Sequence, residues 1–310
     1  MINAIIKFKE LIAPEKTRIE SLFPLILVFG GDSDVKNGKY SSCRNVFLHW
    51  SSETNFELDK LFRWPEQFPQ WNHFEEKYNL VDFEKDVGCL SSGIVLFSES
   101  PGALAELGAF CTDDVLSERL LVVMGQKHYE ADSFIKWGPI QRIADANQKE
   151  EDAICVVSTT KNPKEFEAEV TRVGKALLDK VKPLKETRQF HPQGTRDRFL
   201  LIADLIELFG ALTEIELGIL LEFMMAEPSN LKRMLKQLIL FELIIKVPLG
   251  NERYYVPPIK QRKPFLKFTA QAGAKFDRPQ FKLTAIHPEL KEGKNQDRLE
   301  AYAKYHGVPR

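Results

Sequence analysis

Residues 94–110 read Ile-Val-Leu-Phe-Ser-Glu-Ser-Pro-Gly-Ala-Leu-Ala-Glu-Leu-Gly-Ala-Phe, and this stretch constrains the fold of the whole chain. Its first four residues are apolar, and their length and β-branching suit a buried parallel strand. Ser100 is placed to cap a helix, and Pro101 falls at the first helical position, where a missing N–H costs nothing. From Pro101 the spacing is helical. Leu104, Leu107 and Cys111 form one stripe, suited to packing on a sheet; Gly102, Ala103 and Glu106 form another. Two very small residues beside one carboxylate leave room for a ligand against the backbone. A strand-to-helix turn lies at the carboxyl edge of a parallel sheet, where α/β folds bind ligands. Glu106 is then either an acid facing that space or one more solvated helix glutamate.

Ser-Pro-Gly-x-x-x-Glu-Leu-Gly after a hydrophobic strand resembles the signature of nucleoside 2-deoxyribosyltransferase-like enzymes. The longer pattern, Leu96 to Gly102 running into Glu106-Leu107-Gly108-Ala109-Phe110, resembles the effector toxins encoded beside retron reverse transcriptases. The similarity covers roughly residues 24–180. It implies that Glu106 attacks or electrostatically supports the anomeric carbon of a nucleoside.

With 310 residues, 44% of them hydrophobic and 28% charged, the chain is long enough for two domains with their own cores. No apolar run approaches twenty residues, and the N-terminus lacks a signal-peptide pattern, so a cytoplasmic protein with no membrane association is expected. Cys43, Cys89, Cys111 and Cys155 show no C-x-x-C spacing and no histidine cluster joins them, which predicts reduced thiols and no metal. Net charge is −1, yet residues 257–310 carry 12 Lys/Arg against 5 Asp/Glu. Such a basic end points to an anionic partner, or is simply a soluble tail.

In chain order, residues 1–20 read as a short helix or arm. Leu25 to Phe29 is the first strand and leads into Gly30-Gly31-Asp32, where paired glycines let backbone approach a ligand and free N–H groups hold phosphate or ribose. The retron effectors are similar here too. Val46 to Trp50 is expected as a second strand. The aromatics Phe62, Trp64, Phe68, Trp71 and Phe74 either fill a core or, around Trp64-Pro65-Glu66, form a wall on which a base stacks. Asn79 to Leu90 reads as a helix carrying Asp82, Glu84 and Asp86. Leu120 to Met124 and Ala153 to Val157 are further strands, and Lys164 to Val181 is a long helix. Ser133 to Ile140 resembles a retron-effector segment that closes over the pocket or leads into the next helix. The predicted class is α/β: a parallel-sheet, Rossmann-like deoxyribosyltransferase-like domain over 1–183. A linker follows over 184–195 and a winged-helix domain over 196–258, with a basic C-terminal tail over 259–310.

The winged-helix reading rests on three helical patterns followed by two short strands around Leu249-Gly250-Asn251. Thr213-Glu214-Ile215-Glu216 has capping-box form, and Ser229 is expected to cap the third helix. That helix buries Leu231, Met234, Leu235, Leu238 and Ile239, and shows Lys232, Arg233, Lys236 and Gln237 outward. A third helix of this kind often enters the major groove. Lys232, Arg233 and Lys236, with Lys260, Arg262 and Lys263 beyond the wing, are the candidate nucleic-acid contacts. A wing that docks only on protein is the alternative.

Breaking an N-glycosidic bond requires negative charge beneath C1′ and a stabilised leaving base. The resemblance assigns the first task to Glu106, and sugar or base positioning to Glu84 or Asp86. Gly30, Gly31, Asp32, Ser100, Gly102 and Ala103 would surround the substrate. Relatives that exchange bases commonly carry Asp where this chain has Ser100, which favours hydrolysis over transfer. The family implies NAD as substrate, with no separate cofactor. It also implies restraint by the retron reverse transcriptase and its multicopy single-stranded DNA, and leaves self-association open. The competing functions are a non-catalytic, nucleotide-sensing DNA-binding regulator and an ADP-ribosyl or deoxyribosyl transferase.

Overall fold

The computed structural model describes residues 1–32, 35–36, 39–67, 79–147, 149–181, 187–259 and 263–308. The chain divides into two compact units, Phe23–Pro183, and Met1–Leu22 together with Leu184–Arg310. The first 22 residues therefore belong with the C-terminal unit, and not with the sheet domain to which their position in sequence assigned them.

The unit Phe23–Pro183 is built on a parallel sheet of five strands: β1 (Ile26–Phe29), β2 (Phe62–Arg63), β3 (Gly93–Phe97), β4 (Leu120–Gly125) and β5 (Ile154–Val157). Their spatial order is β2-β1-β3-β4-β5. The three central strands are buried at every residue, as a sheet covered on both faces requires. On one face, Val28, Val95, Phe97 and Val123 pack with Phe47 of α1 (Cys43–Thr54) and with Val173 and Leu177 of α4 (Val170–Lys180). Each large side chain buried this way contributes about 1.5–3 kcal/mol. On the other face lie α2 (Leu80–Leu90) and α3 (Pro101–Phe110), with the Phe110 ring edge-on to Phe29 at 5.0 Å. Gly174 lets α4 approach α1, since a methyl there would fall 2.1 Å from the Trp50 ring.

Three local expectations are corrected. Residues 46–50 are helical and not a strand, because Ser42 accepts the Asn45 N–H as an N-cap and tertiary contacts override the β propensity of Val-Phe-Leu. The second strand of the sheet comes instead from Phe62–Arg63, in the aromatic stretch; Phe68, Trp71 and Phe74 lie outside the described residues. The helix expected over 164–181 is broken into Pro163–Phe166 and Val170–Lys180. At the break, the Glu169 carboxylate accepts the Ser158 N–H at 2.7 Å. Ser133 to Ile140 is largely helical and leads directly into the helix Gln141–Asp145.

In the other unit, α5 (Thr195–Phe209), α6 (Glu214–Phe223) and α7 (Leu231–Leu240) precede a hairpin of β6 (Ile245–Leu249) and β7 (Glu252–Val256). Leu212, between α5 and α6, bridges to Tyr255 as a further strand position. The Thr213–Glu216 capping box forms as expected. Asn230, in the left-handed region at φ 63°, takes the N-cap of α7 in place of Ser229. Residues 259–310 are not a free tail. Leu266–Lys267 pairs with Arg18–Ile19, which also pairs with Arg188–Gln189, all antiparallel. Helix α8 (Gln296–His306) packs Ala301, Tyr302 and Tyr305 on the hairpin residues Val247, Tyr254 and Val256. Phe8 of the N-terminal helix Ile2–Leu11 sits edge-on to Phe209, Phe268 and Phe281. No helix among the described residues is long and apolar enough to cross a membrane.

Candidate active site

Numbered along the chain, β2 and β3 flank β1 on opposite sides, so the connections from this sheet centre reverse direction between β1 and β3. A crevice opens outside the carboxyl ends of strands at such a reversal, and ligands bind there in open α/β sheets. Gly30 and Gly31 leave β1 at this point, and Ser98, Glu99 and Ser100 leave β3. The two turns are laced together. The Ser100 hydroxyl donates to the Gly30 carbonyl at 3.2 Å and accepts the Ala103 N–H at 3.1 Å, which caps α3 as the sequence indicates.

Glu99 is the residue that sequence reasoning missed. Its carboxylate accepts three backbone N–H groups, from Gly31 at 2.9 Å, Cys43 at 2.7 Å and Arg44 at 3.0 Å. Two of these belong to the first turn of α1, where N–H groups lack intrahelical partners and the helix dipole favours an anion. Gly30 is required by the close approach, because a methyl there would lie 2.9 Å from both Arg44 Cβ and Glu99 Oε1. The Gly31 N–H expected to receive a ligand is thus already satisfied from within the chain. Asp32 is exposed, and its carbonyl accepts from Ser41 and Ser42.

Glu106 projects from the second turn of α3. Its Oε2 is buried and has no hydrogen-bond partner among the described residues. Burial pushes its carboxyl up to about 7, opposed by the nearby positive charge of Arg44 and assisted by the negative charge of Glu66. Glu84 on α2 is buried too and is pushed up to about 8, mainly by desolvation and next by the charge on Glu106. The two acids anticipated from sequence therefore share one electrostatic environment. Asp86, two residues further along α2, is partly exposed.

The α3 stripes are rearranged relative to expectation. Ala103, Leu107 and Phe110 are the buried positions, whereas Leu104 is exposed. Ala103 is 1% exposed and packs inward in place of lining open space. Gly102 is exposed, and a methyl on it would meet nothing nearer than Ser100 Oγ at 3.8 Å.

Arg44 was also unanticipated, because its helix was read as beginning in a strand. It is one of the largest fully buried side chains, and its Nη1 and Nη2 hold the Glu66 carboxylate at 3.1 and 2.6 Å. An arginine two residues after a serine cap is the signal that could have exposed it. Among the described residues, no group of three or more His, Cys, Asp or Glu is placed to hold a metal ion.

A match to the STM3845 retron effector protein family covers residues 40–246, about two thirds of the chain. The chain belongs to this retron effector family. The match takes in β2 through β5, α1 through α7 and both Glu84 and Glu106. The chain is 37% identical over 128 residues to the "Retron Ec73 putative ribosyltransferase/DNA-binding protein" of Escherichia coli, spanning 39% of each protein. It is 33% identical over 73 residues to the "Retron Ec86 putative ribosyltransferase/DNA-binding protein" of the same organism, spanning 24% of each. This retron effector thus aligns with well under half the length of either relative.

The cations expected to meet nucleic acid are distributed unevenly in its C-terminal unit. Lys232 is exposed and lies 4.0 Å from Glu214, while Arg233 and Lys236 are only partly exposed. Gln237, expected outward, is fully buried. Lys263 is exposed and helps line a cavity of about 230 Å³ with Glu207, Tyr302 and His306. Lys260 and Arg262 lie outside the described residues. Part of the basic charge of residues 257–310 is spent internally: Arg278 pairs with Asp204 and Glu207, Lys282 with Glu207, and Arg298 with Glu216.

Proposed function

We propose that this protein is the effector toxin of a retron and hydrolyses the N-glycosidic bond of NAD or a related nucleotide. The reading is carried by Glu106, a partly exposed acid whose Oε2 is buried and unsatisfied among the described residues, at the sheet's direction reversal in a chain of the retron effector family. Glu106, ionised, stabilises the oxocarbenium-like sugar at C1′ as the C1′–N bond breaks. The bond's electron pair leaves with the base. Water then adds to C1′, and its proton passes to the Glu106 carboxylate. With NAD the departing nicotinamide is neutral and needs no proton. With a purine base, which leaves as an anion, protonated Glu84 supplies one. Burial raises both acids, Glu84 further than Glu106, so Glu106 is the first of the pair to ionise as pH rises.

The C-terminal three-helix and hairpin unit is read as a winged helix that holds the effector to the reverse transcriptase and its multicopy single-stranded DNA until release. Support comes from the order of its elements and from the words "DNA-binding" in the names of both relatives. The same names contain "ribosyltransferase", which favours a second reading, transfer of the sugar to an acceptor other than water.

Incubating the purified protein with NAD, nucleotides and nucleosides, and separating the products by chromatography, tests the proposal. Free ADP-ribose and nicotinamide are expected. Label retained on DNA or protein would establish transfer, and no base release from any substrate would remove the enzymatic reading.

A further inference from the structure

We propose that Arg44 receives a phosphate of the nucleotide substrate and that Glu66 occupies this place on Arg44 until the substrate displaces it. The inference rests on the nucleotide reading above and adds the residue that would distinguish a nucleotide from a neutral nucleoside.

The usual anion cradle of such a sheet is already filled. Glycine-rich loops and helix N-termini at a sheet reversal ordinarily present free N–H groups to a phosphate. Here the N–H groups of Gly31, Cys43 and Arg44 all point to the Glu99 carboxylate. A substrate phosphate would have to expel a carboxylate held by three hydrogen bonds, so its recognition falls to another group.

Arg44 has the geometry for that task. Its side chain is 2% exposed, whereas its partner Glu66 leaves 54% of its side chain in solvent. The guanidinium is therefore fixed within the protein, and the anion that neutralises it faces outward. The pair is two-pronged, and phosphate oxygens present the same spacing to an arginine fork as a carboxylate does. Arg44 Nε is buried and has no hydrogen-bond partner among the described residues, which leaves one donor of the fork unused. Arg44 also belongs to the same site as the proposed catalytic acid, since its positive charge acts on Glu106. Glu66 sits on a single short turn, Pro65–Gln67, so releasing it requires no movement of the sheet.

Binding can be measured apart from turnover in the full chain carrying Glu106→Gln. Isothermal titration would use ADP as the phosphate-bearing probe and adenosine as the neutral control. Glu66→Gln removes the competing anion at a solvent-exposed position and should tighten ADP roughly tenfold while leaving adenosine unchanged. Arg44→Lys keeps a charge without the fork and should weaken ADP by roughly tenfold or more. ADP affinity indifferent to Glu66→Gln, parallel changes for ADP and adenosine, or no ADP binding in either Glu66 form would each overturn the proposal. The two readings fail separately. Glu66-dependent ADP binding without base release by the native sequence refutes the glycosidase and keeps the phosphate site; base release with Glu66-indifferent ADP binding does the reverse.

Discussion

The carboxylate of Glu99 accepts the backbone N–H of Cys43 at 2.7 Å, so the turn after β3 is fastened to the first turn of α1. With Gly31 and Arg44 on the same carboxylate, one side chain fixes the spacing of the turns that flank the crevice. Glu99→Ala should destabilise the protein by about 1–3 kcal/mol, because buried donors are left unpaired. Chemical denaturation would read the loss. A stability equal to the native protein would mean that these donors find other partners.

Glu106→Gln should lower base release by on the order of 10²–10³ or more, since an electrostatic or nucleophilic group is removed. The melting temperature should not fall, because the amide is easier to bury than a carboxylate. A folded variant with native turnover would displace Glu106 from the chemistry.

The two raised acids set the pH behaviour. With NAD, turnover should rise through about pH 7 as Glu106 ionises, and then level off. With a purine nucleotide it should fall again through about pH 8 as Glu84 loses its proton, and Glu84→Gln should abolish that second limb. Stability runs in a fixed direction as well. Glu84 ionises near 4.5 when unfolded and near 8 when folded, so the folded chain holds the extra proton between these values. Stability is therefore full below about pH 4.5 for this group and is lost as pH rises towards 8. Thermal melts of Glu84→Gln should show a flatter decline over that interval.

Ala103→Leu should destabilise the sheet unit by about 1–3 kcal/mol through overpacking. The change inserts three carbons at a position that is 1% exposed. A melting temperature unchanged by this substitution would indicate room beside α3 that the packed structure does not show.

Lys232→Glu should weaken association with the reverse transcriptase–DNA complex and reduce the magnitude of its salt dependence by about one phosphate contact. Lys232 suits the test better than Arg233 or Lys236 because its side chain is the exposed one. Co-purification at two salt concentrations would read the effect. Equal recovery throughout would assign the unit to protein docking.

The strand-turn-helix around Ser100 was legible because local signals agree there: an apolar run, a cap and a proline at the first helical position. The first turn of α1 was illegible for the opposite reason. Val46 to Trp50 carries strand-forming residues, and the helix is secured by a carboxylate 56 positions away at Glu99. Spacing put Glu106 on a helix at the carboxyl edge of the sheet, and the resemblance, not the spacing, singled it out together with Glu84 or Asp86. Arg44 and Glu66 could not, since their pairing depends on how α1 and the turn after β2 are brought together. The basic C-terminal count was read correctly, but composition could not reveal that Arg278 and Arg298 neutralise acids within their own unit.

The grouping of Met1–Leu22 with Leu184–Arg310 makes the C-terminal unit discontinuous, with the sheet unit inserted in its chain. The N–H of Ala4 finds its acceptor at Glu289, 285 residues later, and Ile12 bridges to Ala270. During synthesis the sheet unit can complete its strand pairing while the N-terminal helix still lacks the surface it covers. Phe8 finds the first of its aromatic neighbours only when Phe209 has been made, and the set is complete only with Phe281. The insertion therefore imposes an order on maturation: the crevice around Glu106 can form first, and the discontinuous unit can be completed only after Leu266–Lys267 and the helices that follow it have been made.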